Sequence, residues 1–316
     1  MKLSDFAEKL KNIRSALIFS HVRPDGDTVG GATALKAGLT SLGIRAEMIC
    51  ASPIPAKFSD FPHASEYLPC PPEEKFEAHI AVDCSTEQMF GNLSPLFFSV
   101  KNTFNLDHHV SNTKYAKHNC VIDNASACEN VFALLKLLGV EIFPALAESL
   151  LLGVVTDTGG FSHKNVTPET LNTAAELVKA GADISSISYR TIKVQPVERA
   201  RLFAIATSSL KLCCDGKLAM IFIREEDFKK TGATQDLTEG FIDFPLSVKG
   251  VEVAVSVMEA GEHKFKISFR STGRVNVNEI AGTFGGGGHV LASGCMLFGF
   301  FEDVVDKLIF TVGNYL

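Results

Sequence analysis

Apolar residues in this chain fall into short runs broken by charged and turn-forming segments, and the periods of those runs predict alternating strands and helices. Residues 4–14 place Phe6, Leu10 and Ile13 on one helical face, and residues 16–20 follow as a strand. Residues 28–42 predict a helix that opens on the small residues Gly30, Gly31 and Ala32 and stops at Gly43. The next strand is 45–50, after which 51–72 is rich in proline and turn formers and predicts irregular connection. Residues 79–83 and 102–106 are further short apolar strands. Residues 126–138 predict a helix closed by Gly139, and 144–155 a second, strongly apolar one. Thr167-Pro168-Glu169 begins another, with Thr167 as cap, Pro168 in the first turn and Gly181 at the end. This alternation predicts an α/β fold whose sheet is mostly parallel and flanked by helices.

Near residue 190 the texture changes. Residues 196–208 predict a connecting helix, and beyond it period-two patterns dominate at 218–223, 251–258 and 264–270. Odd positions of 251–258 are all valine, so one face packs on a core. In 264–270, Phe265, Ile267 and Phe269 form one face and Lys264, Lys266, Ser268 and Arg270 the other, a basic, hydrogen-bonding surface. The second domain reads as a smaller α/β unit.

A length of 316 residues suits two domains, and 46% hydrophobic with 21% charged residues suits a soluble globular protein. No apolar run reaches a bilayer span, since Lys136, Glu141 and Glu148 interrupt the longest, and the charged, amphipathic first residues do not resemble a signal peptide. A cytoplasmic protein without membrane contact is the expectation. The eight cysteines form no CxxC pair and read as reduced, buried thiols. A net charge of −6 argues against a stable complex with long nucleic acid, while leaving room for a short anionic substrate at one focused pocket.

Candidate chemistry collects where apolar runs stop. Leu106-Asp107-His108-His109-Val110 sets an acid and two imidazoles after a strand, and is too polar to belong to it. The same signature recurs in His21–Asp27, in Val82-Asp83 and in Thr156–Phe161. In an open α/β sheet such ends converge on one crevice. Singly, each has an ordinary explanation: Asp83 could cap a turn, and adjacent histidines could sit on a surface loop. Together, Asp25, Asp27, Asp83 and Asp157 would repel one another unless cations join them. Their mixture with His21 and His108 moves preference toward two divalent ions, Mn²⁺ before Mg²⁺. Pro24 and Gly26 shape the first loop, and Gly159 and Gly160 allow close backbone approach. His63, His79, His118, His163 and His263 lie in no such context.

A second distinctive stretch is Phe284-Gly285-Gly286-Gly287-Gly288-His289-Val290, whose exposed amides would form an anion nest, strengthened if a helix starts after it. His289 and Arg270 could add charge-assisted bonds to phosphate. No Gly-Lys-Ser/Thr follows, so this is no Walker loop, and its place near the C-terminus is wrong for a dinucleotide fingerprint.

At these residues the chain resembles the DHH phosphoesterases. Asp107-His108-His109 matches the naming motif, the other three acidic stretches match in order, and the glycine-rich stretch is similar to the signature of the DHH-associated C-terminal domain. The resemblance implies a DHH metal-binding catalytic domain over 1–188, a linker helix over 189–210 and a substrate-binding domain over 211–316, with a mixed sheet in the last and the active-site cleft between the two. It implies one metal on His21, Asp25 and Asp83, and a second on Asp27, Asp83, His108 and Asp157. Asp107 would orient its neighbours, and His109 would face the substrate phosphate. Arg270, Ser271, Gly286, Gly287, Gly288 and His289 would hold the nucleotide. Thr28, Gly31 and Thr156 depart from the commonest residues without removing a ligand. The two-domain size resembles the bacterial nano-RNase branch, which implies hydrolysis of short oligoribonucleotides and removal of phosphate from 3′-phosphoadenosine 5′-phosphate, and leaves a homodimer open. The rival readings are a cyclic or linear dinucleotide phosphodiesterase of the same superfamily, a RecJ-like exonuclease, a family II pyrophosphatase, and a nucleotide-sensing protein with a dead site.

Overall fold

Every residue from Ser15 to Ser20 is buried, because the strand they form lies at the centre of a sheet covered on both sides. A computed structural model describes all 316 residues, which divide into two units, Met1–Val194 and Gln195–Leu316. In the first, the chain runs α1 (Leu3–Leu10), β1 (Ser15–Ser20), α2 (Gly26–Ser41), β2 (Arg45–Cys50), β3 (Tyr67–Leu68) and β4 (Ala78–Val82). It continues with α3 (Ser94–Phe97), β5 (Asn102–Asp107), β6 (His118–Val121), α4 (Ala127–Leu138), α5 (Pro144–Asp157), α6 (Pro168–Lys179) and α7 (Ile184–Ser188).

The sheet order is β3-β2-β1-β4-β5-β6, and every pairing is parallel. The chain leaves β1 toward one edge, then returns to β4 and proceeds to the other. The loops after β1 and β4 therefore diverge, which opens a crevice at the carboxyl ends of those two strands. Period-two alternation divides the core. Ala16 and Ile18 join the cluster under α2, α4 and α5, while Leu17 and Phe19 join Phe76, Phe90 and Phe97 on the opposite face. The ring of Phe19 meets Phe90 and Phe97 edge-on at 5.7 and 5.2 Å, and its truncation to alanine would cost about 3–5 kcal/mol. Helices α2 and α5 approach so closely that a Cβ on Gly30 would lie 2.2 Å from the Ser149 carbonyl oxygen. Gly26 and Gly30 serve this contact, while Gly31 makes room for Val82 of β4.

The second unit runs α8 (Val197–Ser208), β7 (Lys211–Cys213), β8 (Leu218–Ile223), α9 (Glu225–Thr231), α10 (Asp243–Leu246), β9 (Val253–Glu259) and β10 (Lys264–Ser271). It ends with α11 (Val277–Thr283), β11 (Gly287–His289), β12 (Ala292–Phe298) and α12 (Phe301–Gly313). Its sheet, ordered β11-β12-β10-β9-β8-β7, is mixed: β8 and β9 are parallel and the other pairs antiparallel. Val253, Val255, Val257, Phe265, Ile267 and Phe269 face α11 and α12 in one core. No helix of the chain is long and apolar enough to cross a membrane.

Four expectations are corrected. Helix α2 begins at Gly26, because the Asp25 carboxylate accepts from the backbone N–H of Asp27 and Thr28 at 3.0 and 3.1 Å and caps it there. Asp107 does belong to strand β5, pairing with Val121 despite its charge. The irregular 51–72 connection contains the edge strand β3. No helix follows the glycine run. Gly287, Gly288 and His289 instead form β11 against β12, and a Cβ on Gly286 would sit 2.2 Å from the Gly294 carbonyl oxygen. That glycine is required by strand packing, which a reading from composition alone attributes to an anion nest.

Candidate metal centre

The crevice at the ends of β1, β4 and β5 gathers the acids and imidazoles of four separate stretches. His21 follows β1, and its Nδ1 contacts the Val22 carbonyl oxygen at 2.9 Å. This turns Nε2 toward Asp25 Oδ1 and Asp83 Oδ2, each 3.6 Å away. His108, just past β5, is held the same way: Nδ1 meets the Asn124 carbonyl oxygen at 3.0 Å. Its Nε2 lies 3.4 Å from Asp83 Oδ1, 3.4 Å from Asp157 Oδ2 and 3.9 Å from Asp27 Oδ2. A carbonyl at one ring nitrogen fixes the tautomer that leaves the other nitrogen's lone pair free, which is how metal-ligating histidines are held.

Asp83 is the pivot. It sits one residue beyond β4 with φ +59°, a left-handed conformation uncommon for a side-chain-bearing residue. Its N–H still donates to Leu106, continuing the ladder with β5. The turn directs one carboxylate oxygen at His21 and the other at His108. Asp27 is fully buried in the first turn of α2, where it accepts from the N–H groups of Ala127 and Cys128 at 2.6 and 2.9 Å. It thus lies at the N-terminus of α4. Asp157 ends α5, the helix pole that disfavours a negative charge.

Three ligand groups lie within coordinating reach: His21, Asp25 and Asp83; Asp27, His108 and Asp157; and Asp83, Asp107, His108 and His109. Whether cations suit them is decided by unmet bonding capacity. Asp83 Oδ1 and His108 Nε2 are buried without hydrogen-bond partners and face each other at 3.4 Å. Such groups are costly unless something polar or charged completes them. Burial, then the charge of Asp83, pushes Asp27 well above the ordinary carboxylate range; burial with Asp27 and Asp83 raises Asp157 further. For His21, burial opposes the charged form, yet the Asp25 and Asp83 carboxylates win and hold it up at about 11. His108 is raised by the same competition. Without metal the cluster gathers protons. All-oxygen and imidazole donors with no thiolate suit Mn²⁺, Mg²⁺ or Fe²⁺.

Asp107 faces away from this exchange because its oxygens are already engaged. Oδ1 accepts from the His108 backbone N–H at 2.8 Å and contacts His109 Nδ1 at 2.9 Å, while Oδ2 accepts from Asn112 Nδ2 at 2.5 Å. The hydrogen bond to Asp107 raises the His109 imidazole pKa, against a smaller opposing effect of burial. A set of amides not anticipated from sequence supports both residues. Asn112 also donates to Asn105, and Asn130 donates to the carbonyl oxygens of Asp107 and Ile122 while accepting from Asn124. Asn105, fully buried within an apolar strand, is the one visible anomaly that could have exposed this network.

In the second unit, pairing register brings Arg270 and His289 onto one row, since both face Ala292 across β12. Two strand spacings separate them, about 9–10 Å. His289, Gly287 and Gly288 are exposed, and Gly286 is half-buried. Ser271 is buried, its hydroxyl accepting from the N–H of Gly273 at 3.0 Å. His79 is buried against Phe19, outside this site.

A model of the DHH family N-terminal domain matches residues 15–154, and one of the DHHA1 domain matches residues 215–316. The chain is 32% identical over 304 residues to the bifunctional oligoribonuclease and PAP phosphatase NrnA of Thermus thermophilus, an alignment covering 94% of this chain and 89% of the relative. Likeness to the cyclic-di-AMP phosphodiesterase PdeA of Listeria monocytogenes is 30% over 153 residues, covering 46% of this chain and 21% of that one. Among solved structures, an exopolyphosphatase-related protein from Bacteroides fragilis is similar with a TM-score of 0.84 at 26% identity, covering 99% of this chain and 96% of that one.

Proposed function

The chain belongs to the DHH phosphoesterase family, and we propose that it hydrolyses short oligoribonucleotides to mononucleotides and removes a phosphate from 3′-phosphoadenosine 5′-phosphate. The observation that carries this reading is Asp83, whose two oxygens address His21 and His108 separately and so place one carboxylate where it would serve two divalent ions. His21, Asp25 and Asp83 would hold one ion; Asp27, Asp83, His108 and Asp157 the other. Mn²⁺ is the ion we assign, because each set mixes imidazole with carboxylate. Bound there, the ions would supply positive charge to a phosphoryl group as it develops negative charge.

The remaining work belongs to the chain. Asp107 keeps His109 oriented and favours its protonated form, so the outward edge of the ring donates to a phosphate oxygen. Asn112 and Asn130 hold that pair in register. Arg270 and His289, on one row of the second sheet, would bind the phosphate or base of the nucleotide away from the scissile bond, with the open Gly287 allowing close approach, Gly286 and Gly288 letting the β11 turn pack on β12, and Ser271 bracing the turn after β10. Basic side chains confined to one row of the second sheet, on a chain of net charge −6, favour short anionic substrates over long polymers. A cytoplasmic setting belongs to the same proposal, since all eight cysteines are free thiols.

Side-by-side hydrolysis of an RNA dimer-to-pentamer series, 3′-phosphoadenosine 5′-phosphate and cyclic di-AMP, with Mn²⁺ and after chelation, tests the reading. Turnover of the first two supports it. Turnover confined to cyclic di-AMP would move the chain to the dinucleotide phosphodiesterases, and nucleotide binding without any turnover would make it a sensor.

A further inference from the structure

Half of one face of the second sheet has no cover. Leu202 and Ala206 of α8, with Phe241, bury Ile221, Ile223 and Met258 on β8 and β9. On β10 and β12 the same face stays open: Lys264 and Lys266 are exposed, and Met296 and Phe298 are 37% and 71% exposed. Register sets these side chains in rows, Lys264 opposite Phe298 and Lys266 opposite Met296, in line with the Arg270–Ala292–His289 row. A column of cations therefore runs beside a column of apolar groups. Neither strand contributes an acid. Lys266 of the one column and Met296 and Phe298 of the other line an open depression of about 580 Å³, together with Gly285, Gly286 and Gly294.

We propose that this face is a track for single-stranded RNA, holding nucleotides that extend beyond the one bound at Arg270 and His289; the proposal rests on the phosphoesterase reading above. Lys264 and Lys266 would neutralise successive phosphates, and the exposed Phe298 ring offers a flat surface to a base, a combination that binds single strands without sequence preference. From Lys264 to Arg270 the strand spans about 20 Å, more than one nucleotide. A second copy of the chain fits this face less well. A two-fold contact through Phe298 would bring the lysines of both copies together, a like-charge juxtaposition that costs affinity.

The test uses the full chain with Lys264→Gln and Lys266→Gln, and a second variant with Phe298→Ser. Turnover is measured from dinucleotide to heptamer and on 3′-phosphoadenosine 5′-phosphate. Binding of a labelled heptamer, in an Asp83→Ala background, is followed by anisotropy across a salt series. The track predicts unchanged turnover of the dinucleotide and the bisphosphate. It predicts roughly 10-fold weaker heptamer binding in each variant. In the lysine variant the slope of log affinity against log salt becomes shallower by about 1.4, some 0.7 for each lost phosphate contact. Unchanged heptamer affinity, with wild-type RNA hydrolysis intact, overturns the track alone. A wild-type chain that hydrolyses no substrate overturns the phosphoesterase reading and the track with it. A change from dimer to monomer in Phe298→Ser, with heptamer affinity unaltered, assigns the face to a second copy and also overturns the track.

Discussion

Nδ1 of His109 lies 2.9 Å from Oδ1 of Asp107, and that carboxylate is itself held from the other side by Asn112. The pair joins a half-buried imidazole to a fully buried acid, so the acid sets the orientation of the ring and its readiness to carry a proton. Asp107→Asn should lower the His109 pKa toward its ordinary value and reduce turnover by about 10- to 100-fold. The sign of the pH effect follows from both partners. His109 is raised, so its share of the pair's stability is full below the ordinary histidine value and is lost as pH rises through the raised one. Asp107 is lowered by His109 and Asn112 against the effect of burial, so its share is lost as pH falls through the depressed value. NMR titration of the metal-free protein reads the shift in His109 directly.

Asp157 should trade stability for metal binding. Burial and the neighbouring carboxylates raise it to about 9, so in the metal-free protein its charged form opposes folding. Asp157→Asn should therefore raise the melting temperature of the metal-free protein at neutral pH, by roughly 2–4 °C for each kcal/mol recovered. The gain should vanish below the ordinary carboxylate value of 3.8, where the acid is protonated whether folded or not. Added Mn²⁺ should then stabilise the wild type more than the variant, reversing the order. Thermal scans with and without metal, at acid and neutral pH, check both halves.

Because without metal the cluster gathers protons on His21, His108, Asp27 and Asp157, a binding ion must displace them. Mn²⁺ binding should release protons, and affinity should fall about 10-fold per pH unit for each proton released as pH is lowered. Calorimetry in two buffers of different ionisation heat measures the number directly.

Much of this site was legible because its acids interrupt apolar runs. Asp83, His108 and Asp157 stand where burial predicts an apolar residue or a turn, and a charge there asks for an explanation. The α/β alternation was legible for the same reason, since Ser15–Ser20 and Ala78–Val82 are continuous buried strands. What escaped were groups whose meaning depends on distant partners. Asn112 and Asn130 look like ordinary loop and helix residues until Asp107 lies beside them. Gly286 and Gly288 read as part of an anion nest, whereas β12 packs where their side chains would be. The start of α2 was missed because Asp25 is both a cap and a candidate ligand, and the pattern of apolar residues records neither role.

Asn130 makes the strongest prediction among those hidden groups. It is fully buried, and its amide connects Asp107, Ile122 and Asn124, whose carbonyl fixes His108. Asn130→Ala leaves those partners unsatisfied and should cost about 1–3 kcal/mol of stability. Loss of the support for His108 should also weaken Mn²⁺ affinity by about 10- to 100-fold. A purely structural role would lower the denaturation midpoint and leave the metal affinity of the folded protein unchanged.

The most direct measurement is stoichiometric. Metal-stripped protein is titrated with Mn²⁺ while hydrolysis of an RNA dinucleotide and of 3′-phosphoadenosine 5′-phosphate is followed, with Asp83→Ala as control. Activity on both substrates should rise to a plateau at about two ions per chain, as a site with one shared carboxylate requires, and should be absent from the control. Turnover that survives complete chelation, or that is unaffected by loss of Asp83, would contradict the two-metal phosphoesterase.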